Sequence, residues 1–319
     1  MLDVINLALP FFGLIFLGYA CGRFKPIPES GLAWMSFFVI YLALPVLFFR
    51  IVSKTPFEQI NNLPFVVATT LATLSAFVVS FAIGMVVMRR DVPKATIAGI
   101  AGAYGNIGYM GPGLALATLG PEAAVPVALI FCFDNILLFS LVPALMAIGG
   151  AQRRSLAASV VHVLKQIAFH PFIIATLAGV IAAAITYEAP VAVDRLMQFL
   201  QNAAAPCALF MLGVTVALRP VDRIPWEVPL LAIVKLVFHP AAALVLLSLL
   251  GRFAGSWVYA AVLMAALPTA LNVFVIARQY DTWVHQASSA VLVTTLASVI
   301  TLTTVMWLVK TGLLPIALF

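Results

Sequence analysis

The chain is predicted to be an all-α polytopic membrane protein. Ten transmembrane helices are expected in two inverted five-helix repeats, with the fourth and ninth helices broken and crossing at mid-membrane. Three observations carry this. The composition is 64% hydrophobic and only 9% charged over 319 residues, with mean hydropathy +1.15, whereas soluble domains are about 45–50% apolar and about 25% charged. Apolar segments long enough to cross about 30 Å of hydrocarbon recur along the whole chain. Features of the first half also return in the second at a fixed shift.

The spans are marked off by charged or proline-containing flanks and run near 4–22, 32–52, 64–88, 95–118, 123–148, 169–186, 196–218, 228–250, 255–278 and 285–309. The first follows Met1-Leu2-Asp3 without a basic leader, so it reads as a retained helix and not as a cleaved signal. The second carries Pro45 and the seventh Pro206, either as simple kinks or as bends that wrap a central crossing. Cys21, Cys132 and Cys207 fall within spans at no metal-ligand spacing and read as small apolar core residues.

Orientation follows from Lys and Arg. Of the 17, eleven lie in loops after odd-numbered spans and five on the opposite side, counting the C-terminal end. Both termini are therefore expected outside the cytoplasm, in a cell inner (plasma) membrane, with the longest polar loop inside it. The domain expectation is a first repeat over 1–150, a cytoplasmic linker over 151–168 and a second, inverted repeat over 169–319. Basic residues confined to short loops form no patch with interleaved aromatics, which argues against nucleic acid as a partner despite the net charge of +6.

The repeat is read from matched features. Pro10-Phe11 and Gly18 return as Pro171-Phe172 and Gly179, and Pro45 with Phe49 returns as Pro206 with Phe210, all at a shift of 161 (18 to 179, 49 to 210). Five helices per copy is an odd number, so the second copy must run through the membrane upside down.

The fourth span contains Gly99, Gly102, Gly105, Gly108, Gly111 and Gly113, with Pro112 between the last two. Proline removes a donor and clashes with the preceding turn, and each glycine weakens a helix by about 1 kcal/mol relative to Ala. An unwound stretch at that depth must be buried in protein or line a polar cavity. The repeat predicts a mate near 266–273, where Leu267-Pro268-Thr269-Ala270-Leu271-Asn272 stands. With Pro112 and Pro268 each as the first residue of a second half-helix, free backbone donors and positive dipole ends would suit a carboxylate. The candidate substrate contacts are Gly105, Asn106, Gly108, Tyr109, Gly111, Pro112, Gly113, Pro268, Thr269 and Asn272. The blander reading is that small residues serve close helix packing and that Asn272 bonds a neighbouring helix.

Asp134 lies near mid-depth of the fifth span with Asn135 beside it, and an ionisable group there is a functional candidate by default. It is a candidate for coupling or gating, as are Asn135, Lys235, His239, Pro45 and Pro206. Lys235 could snorkel to the cytoplasmic face, attract substrate or pair with Asp134. His170 and His239 precede prolines and read as relays or as satisfied core histidines. No metal site or cofactor is expected, with a coupling proton or sodium ion as the candidate co-substrate.

Gly105-Asn106-Ile-Gly108-Tyr-Met-Gly111-Pro112, Pro45 with Phe48, and the Pro268 to Asn272 segment resemble the auxin efflux carrier family, including bacterial members related to malonate transporters. The likeness covers essentially the whole chain. It implies a secondary transporter that holds a substrate carboxylate where the broken fourth and ninth helices cross, by alternating access. Plant members carry a long loop after the fifth helix; here it is about twenty residues, which favours a small metabolite such as malonate or another mono- or dicarboxylate over auxin. The rival readings are a sodium-coupled symporter of the bile-acid type and a passive anion channel. An enzyme is not expected, since no HExxH, GxSxG or paired-aspartate motif is present. The expected partners are the carboxylate, the lipid bilayer and a second copy of the chain.

Overall fold

The computed structural model describes residues 2–25, 28–54, 62–150, 169, 171–218 and 224–318. The linker expected over 151–168 and His170 lie outside the described residues. Among those described, every regular element is helical. Six helices are long and apolar enough to cross a membrane: Ser30–Ser53, Leu63–Val87, Pro121–Ile148, Val191–Ala217, Glu227–Leu250 and Val284–Lys310. This is a polytopic membrane protein, and its exposed Trp34, Phe24, Val86 and Ile300 are what a lipid-facing surface demands.

The helices are α1 (Leu2–Phe24), α2 (Glu29–Phe38), α3 (Leu44–Ser53), α4 (Leu63–Val87), α5 (Val92–Ala103), α6 (Gly111–Leu119), α7 (Ala124–Ile148), α8 (Pro171–Ala184), α9 (Val191–Ala217), α10 (Glu227–Ile233), α11 (His239–Leu250), α12 (Gly255–Ala265), α13 (Leu271–Gln279) and α14 (Val284–Lys310). Two wide π turns, Val39–Ala43 and Val234–Phe238, join α2 to α3 and α10 to α11 without a break in the chain's course. Both have one cause in the sequence. Pro45 and Pro240 have no N–H and would clash with a carbonyl one turn back. The ladder therefore widens just before them, and the N–H groups of Leu44 and His239 reach back to the carbonyls of Val39 and Val234. Such π turns gather at functional sites, and the second one holds Lys235.

The chain divides into two compact units that interleave its halves. The first comprises Met1–Asn62, Gly108–Cys132 and Ala168–Pro220, and the second comprises Leu63–Ile107, Phe133–Ile167 and Val221–Phe319.

In the first unit α1 lies along α9, and α3 along α8. Glycine makes both approaches close. A Cβ on Gly18 would stand 2.1 Å from the carbonyl oxygen of Phe210, and one on Gly213 would stand 2.0 Å from that of Ile15. On the other pair, a Cβ on Gly179 would stand 3.1 Å from the carbonyl oxygen of Phe49. Gly18 and Gly179, like Phe49 and Phe210, are related by the same shift of 161 (18 to 179, 49 to 210). Pro206 lies inside α9, which continues through it. Cys21 is exposed on α1 instead of lying in a core.

In the second unit α4 packs on α5 and α11, and α14 packs on α10, α12 and α13. Asp91 caps α5: its carboxylate accepts from the Lys94 N–H at 3.0 Å, satisfying one of the orphan donors of the first turn. Phe65 meets Phe253 and Trp257 edge-on at 5.7 and 4.8 Å, which ties the start of α4 to the start of α12.

Candidate functional site

Helix α5 stops at Ala103, and Tyr104 turns into extended backbone. Opposite it, α12 stops at Ala265 and the chain stays non-helical to Ala270. The two loosened segments pair antiparallel, as an isolated bridge between Gly105 and Thr269. The Asn106 N–H donates to the Pro268 carbonyl at 2.8 Å, and the Ala270 N–H donates to the Tyr104 carbonyl at 2.9 Å. Thr269 fastens the crossing on both sides: its N–H donates to the Thr294 hydroxyl at 3.0 Å and its hydroxyl donates to the Ala101 carbonyl at 2.7 Å. Backbone groups freed from two helices are thereby paired with each other, as burial requires.

The sequence expected both prolines to begin a half-helix. Pro112 does so, as the second residue of α6. Pro268 does not: α13 begins at Leu271, three residues later. Its carbonyl is committed to Asn106, so the chain must remain extended past it before a helix can start.

Three groups of side chains surround the crossing. The first is Asn106 itself, 1% exposed, whose amide oxygen and nitrogen make no hydrogen bond within the protein. The second is a buried polar line. Lys235 is 0% exposed; its ammonium donates to the Ala265 carbonyl at 2.6 Å and stands 3.1 Å from Nδ1 of His239. His239 Nε2 lies 3.2 Å from the Thr73 hydroxyl, which donates to Oδ2 of Asp134 at 2.9 Å. Lys235 therefore does not snorkel, and it reaches Asp134 through two intermediates and not by direct pairing. The ammonium also borders the crossing, since a Cβ on Gly105 would stand 3.3 Å from it. A side chain there would be tight against it.

The third group centres on Tyr104. Its hydroxyl donates to Oδ1 of Asn135 at 2.5 Å and accepts from Nδ2 of Asn272 at 3.3 Å. The phenol thus ties α7 and α13 to the crossing. Tyr104→Phe keeps the ring against Phe139 (6.1 Å between centroids) but removes this knot. The expected result is a loss of about 1–3 kcal/mol, the cost of depriving a buried polar group of its partner, measured as a lowered unfolding midpoint in detergent. An unchanged midpoint would show that the phenol holds nothing.

The remaining candidates fall in the first unit. Tyr109, Gly111 and Pro112 are buried there, and Gly108 lies against the Phe131 ring, which also stacks on Phe48 at 4.6 Å. A Cβ on Gly113 would stand 2.8 Å from that of Ala205. The same unit holds a cavity of about 700 Å³ lined by Arg50, Lys54, Glu188, Asp194 and Arg195 among others. Arg50, which the sequence counted only among the five basic residues on the less basic side, is 8% exposed and donates to both oxygens of Asp194 and, at 2.6 Å, to Gln201.

Thr73, Tyr104 and Thr294 were missed by sequence reasoning. Hydroxyls are common on membrane helices, where they usually bond their own backbone as Thr69 does with Phe65, so nothing local distinguishes Thr73.

Comparison with known proteins gives the setting. The family model described as membrane transport protein matches residues 3–306. A protein of Rhizobium meliloti (strain 1021) named "Putative malonate transporter" is 50% identical over 319 residues, covering 100% of both chains. A second, an "Uncharacterized transporter" of Methanothermobacter thermautotrophicus, is 25% identical over 294 residues, covering 91% of this chain and 93% of its own. The match over nearly the full length, joined to six helices long and apolar enough to cross a membrane, makes this chain a membrane transporter and not an enzyme, and it belongs to the membrane transport protein family, that of the auxin efflux carriers.

Proposed function

We propose that the protein is a secondary transporter of small organic anions, mono- or dicarboxylates such as malonate, in the cell inner membrane with both termini outside the cytoplasm. In this reading α5 with α6, and α12 with α13, are the halves of the fourth and ninth of ten spans, and the chain is two inverted repeats working by alternating access. The reciprocal glycine approaches of Gly18 and Gly179 support the repeat. A second copy of the chain is the proposed partner.

One observation carries the substrate class: the antiparallel crossing of 104–106 and 268–270 has beside it an unbonded buried amide, Asn106, and a buried ammonium, Lys235. A carboxylate accepts from the Asn106 amide nitrogen and carries the charge opposite to that of Lys235. A wholly apolar substrate would leave the amide unpaired, and a cationic one would set a like charge against the buried ammonium, both of which burial penalises.

The test is uptake of labelled malonate into proteoliposomes and its exchange against unlabelled malonate. Saturable uptake with counterflow is expected, and flux without counterflow would indicate a channel. Asn106→Ala should raise the half-saturating concentration at least tenfold, the loss of a hydrogen bond to a charged group being worth about 1.5–3 kcal/mol. An unaltered affinity would remove Asn106 from the site.

A further inference from the structure

We propose that the buried line Lys235–His239–Thr73–Asp134 couples transport to protons by exchange of counter-ions: a substrate carboxylate replaces Asp134 as the partner of Lys235, and Asp134 takes up one proton. The inference rests on the anion-transport reading and deepens it, assigning the coupling ion and its stoichiometry.

The donors and acceptors along the line fix its polarity. A lysine ammonium only donates, so His239 Nδ1 must accept from it, at 3.1 Å. Nε2 then carries the ring proton and donates to the Thr73 oxygen at 3.2 Å, and the Thr73 hydroxyl is free to donate to Oδ2 of Asp134 at 2.9 Å. The hydrogen bonds of the line run in one direction only, from cation to carboxylate. The line is thus a neutral pair, one positive and one negative charge held apart by a ring and a hydroxyl.

A second carboxylate entering beside Gly105 and Asn106 would give this neutral pair a net negative charge in a water-poor interior, a costly state. The group able to relieve it is Asp134. Its Oδ1 makes no hydrogen bond within the protein, although the residue is 4% exposed. A proton from the aqueous side forms an O–H bond there, and Oδ2 continues to accept from Thr73. No other covalent bond forms or breaks. The charge summed over Lys235, Asp134 and the one carboxylate that Lys235 holds is zero before and after, with Lys235 now paired to the substrate.

Of the titratable groups among the described residues, those facing the line are Asp134 from α7, Lys235 from the π turn and His239 from α11. α4 brings only the hydroxyl of Thr73, α12 brings the Ala265 carbonyl, and Tyr104 approaches through Asn135, the neighbour of Asp134. A metal cation is the poorer occupant, because Asp134 Oδ1 is the one oxygen of the line without a hydrogen-bond partner, short of the several oxygens that a hard cation takes.

The experiment is net uptake of labelled malonate by proteoliposomes in sodium-free medium, with a pH-sensitive dye in the lumen. The full-length wild-type chain is expected to move one proton per malonate, faster as the outer pH falls. In Asp134→Asn the ratio should fall below one proton per ten malonates, whatever rate remains, and in Asp134→Glu it should stay at one. Uptake with no proton movement, uptake that needs sodium, or an unchanged ratio in Asp134→Asn would each overturn the coupling. The wild-type ratio decides the matter even where the asparagine variant does not fold. Net uptake of malonate by the wild type without proton movement defeats the coupling alone, whereas neither uptake nor exchange of malonate or of other carboxylates defeats the anion-transport reading itself.

Discussion

Lys235→Met is expected to lose about 3–5 kcal/mol of stability, the cost of removing one member of a buried charge pair, while the double variant Lys235→Met, Asp134→Leu recovers at least half of it and still transports nothing. The reason lies in what each change leaves behind. The single change strands Asp134 as an uncompensated carboxylate and withdraws the donor from the Ala265 carbonyl, whose bond at 2.6 Å is the short one of the set. Replacing both charges with apolar side chains of similar size removes the stranded ion, an exchange that is often neutral or stabilising in protein interiors. Unfolding midpoints of the two variants in one detergent check the stability half, and malonate exchange checks the function half. A single variant as stable as the wild type would show that Asp134 is held neutral without Lys235.

Gly18→Leu should be nearly as damaging, at about 3 kcal/mol or more, the upper end of what overpacking costs, with Gly213→Leu equivalent. No rotamer relieves the clash, because it begins at Cβ and meets backbone: 2.1 Å to the Phe210 carbonyl oxygen in one case and 2.0 Å to that of Ile15 in the other. The helices α1 and α9 must separate. Gly13 is the control on the same helix. A Cβ there meets no atom within 4 Å, so Gly13→Ala should be neutral or gain up to about 1 kcal/mol from helix propensity. Equal losses at Gly13 and Gly18 would mean that glycine matters to α1 for its backbone and not for the approach. Small residues serve such contacts in membranes because little but close packing draws helices together there.

Much of the candidate site was legible beforehand. Asn106 and Pro268 were singled out from opposite ends of the chain, and their backbones are bonded to each other. Lys235, His239 and Asp134 were each marked as an anomalous polar group in an apolar span, and these residues, two from one span and one from another, prove to belong to one line with Thr73. Their connection was not legible. Spacing reports neighbours along one helix, while Thr73 and Asp134 are 61 positions apart. Pro268 was misplaced as a helix start for a similar reason. Local rules favour proline in the first turn, but the carbonyl of this one is occupied by a partner from the other broken segment. Arg50 was underrated, since a charge at the margin of a span reads as a flank until Asp194 and Gln201 are seen to surround it.

The sequence by itself determined that this is a helical membrane protein and where its helices lose their regularity. Both follow from composition and from glycine and proline, whose effects act within a turn or two of the backbone. The tertiary structure decided which loosened backbones pair, which buried charges compensate one another, and that the two halves of the chain contribute to each compact unit. Those outcomes depend on distances between segments more than a hundred residues apart, and in lipid they are forced by the need of every buried polar group for a partner that its own helix does not supply.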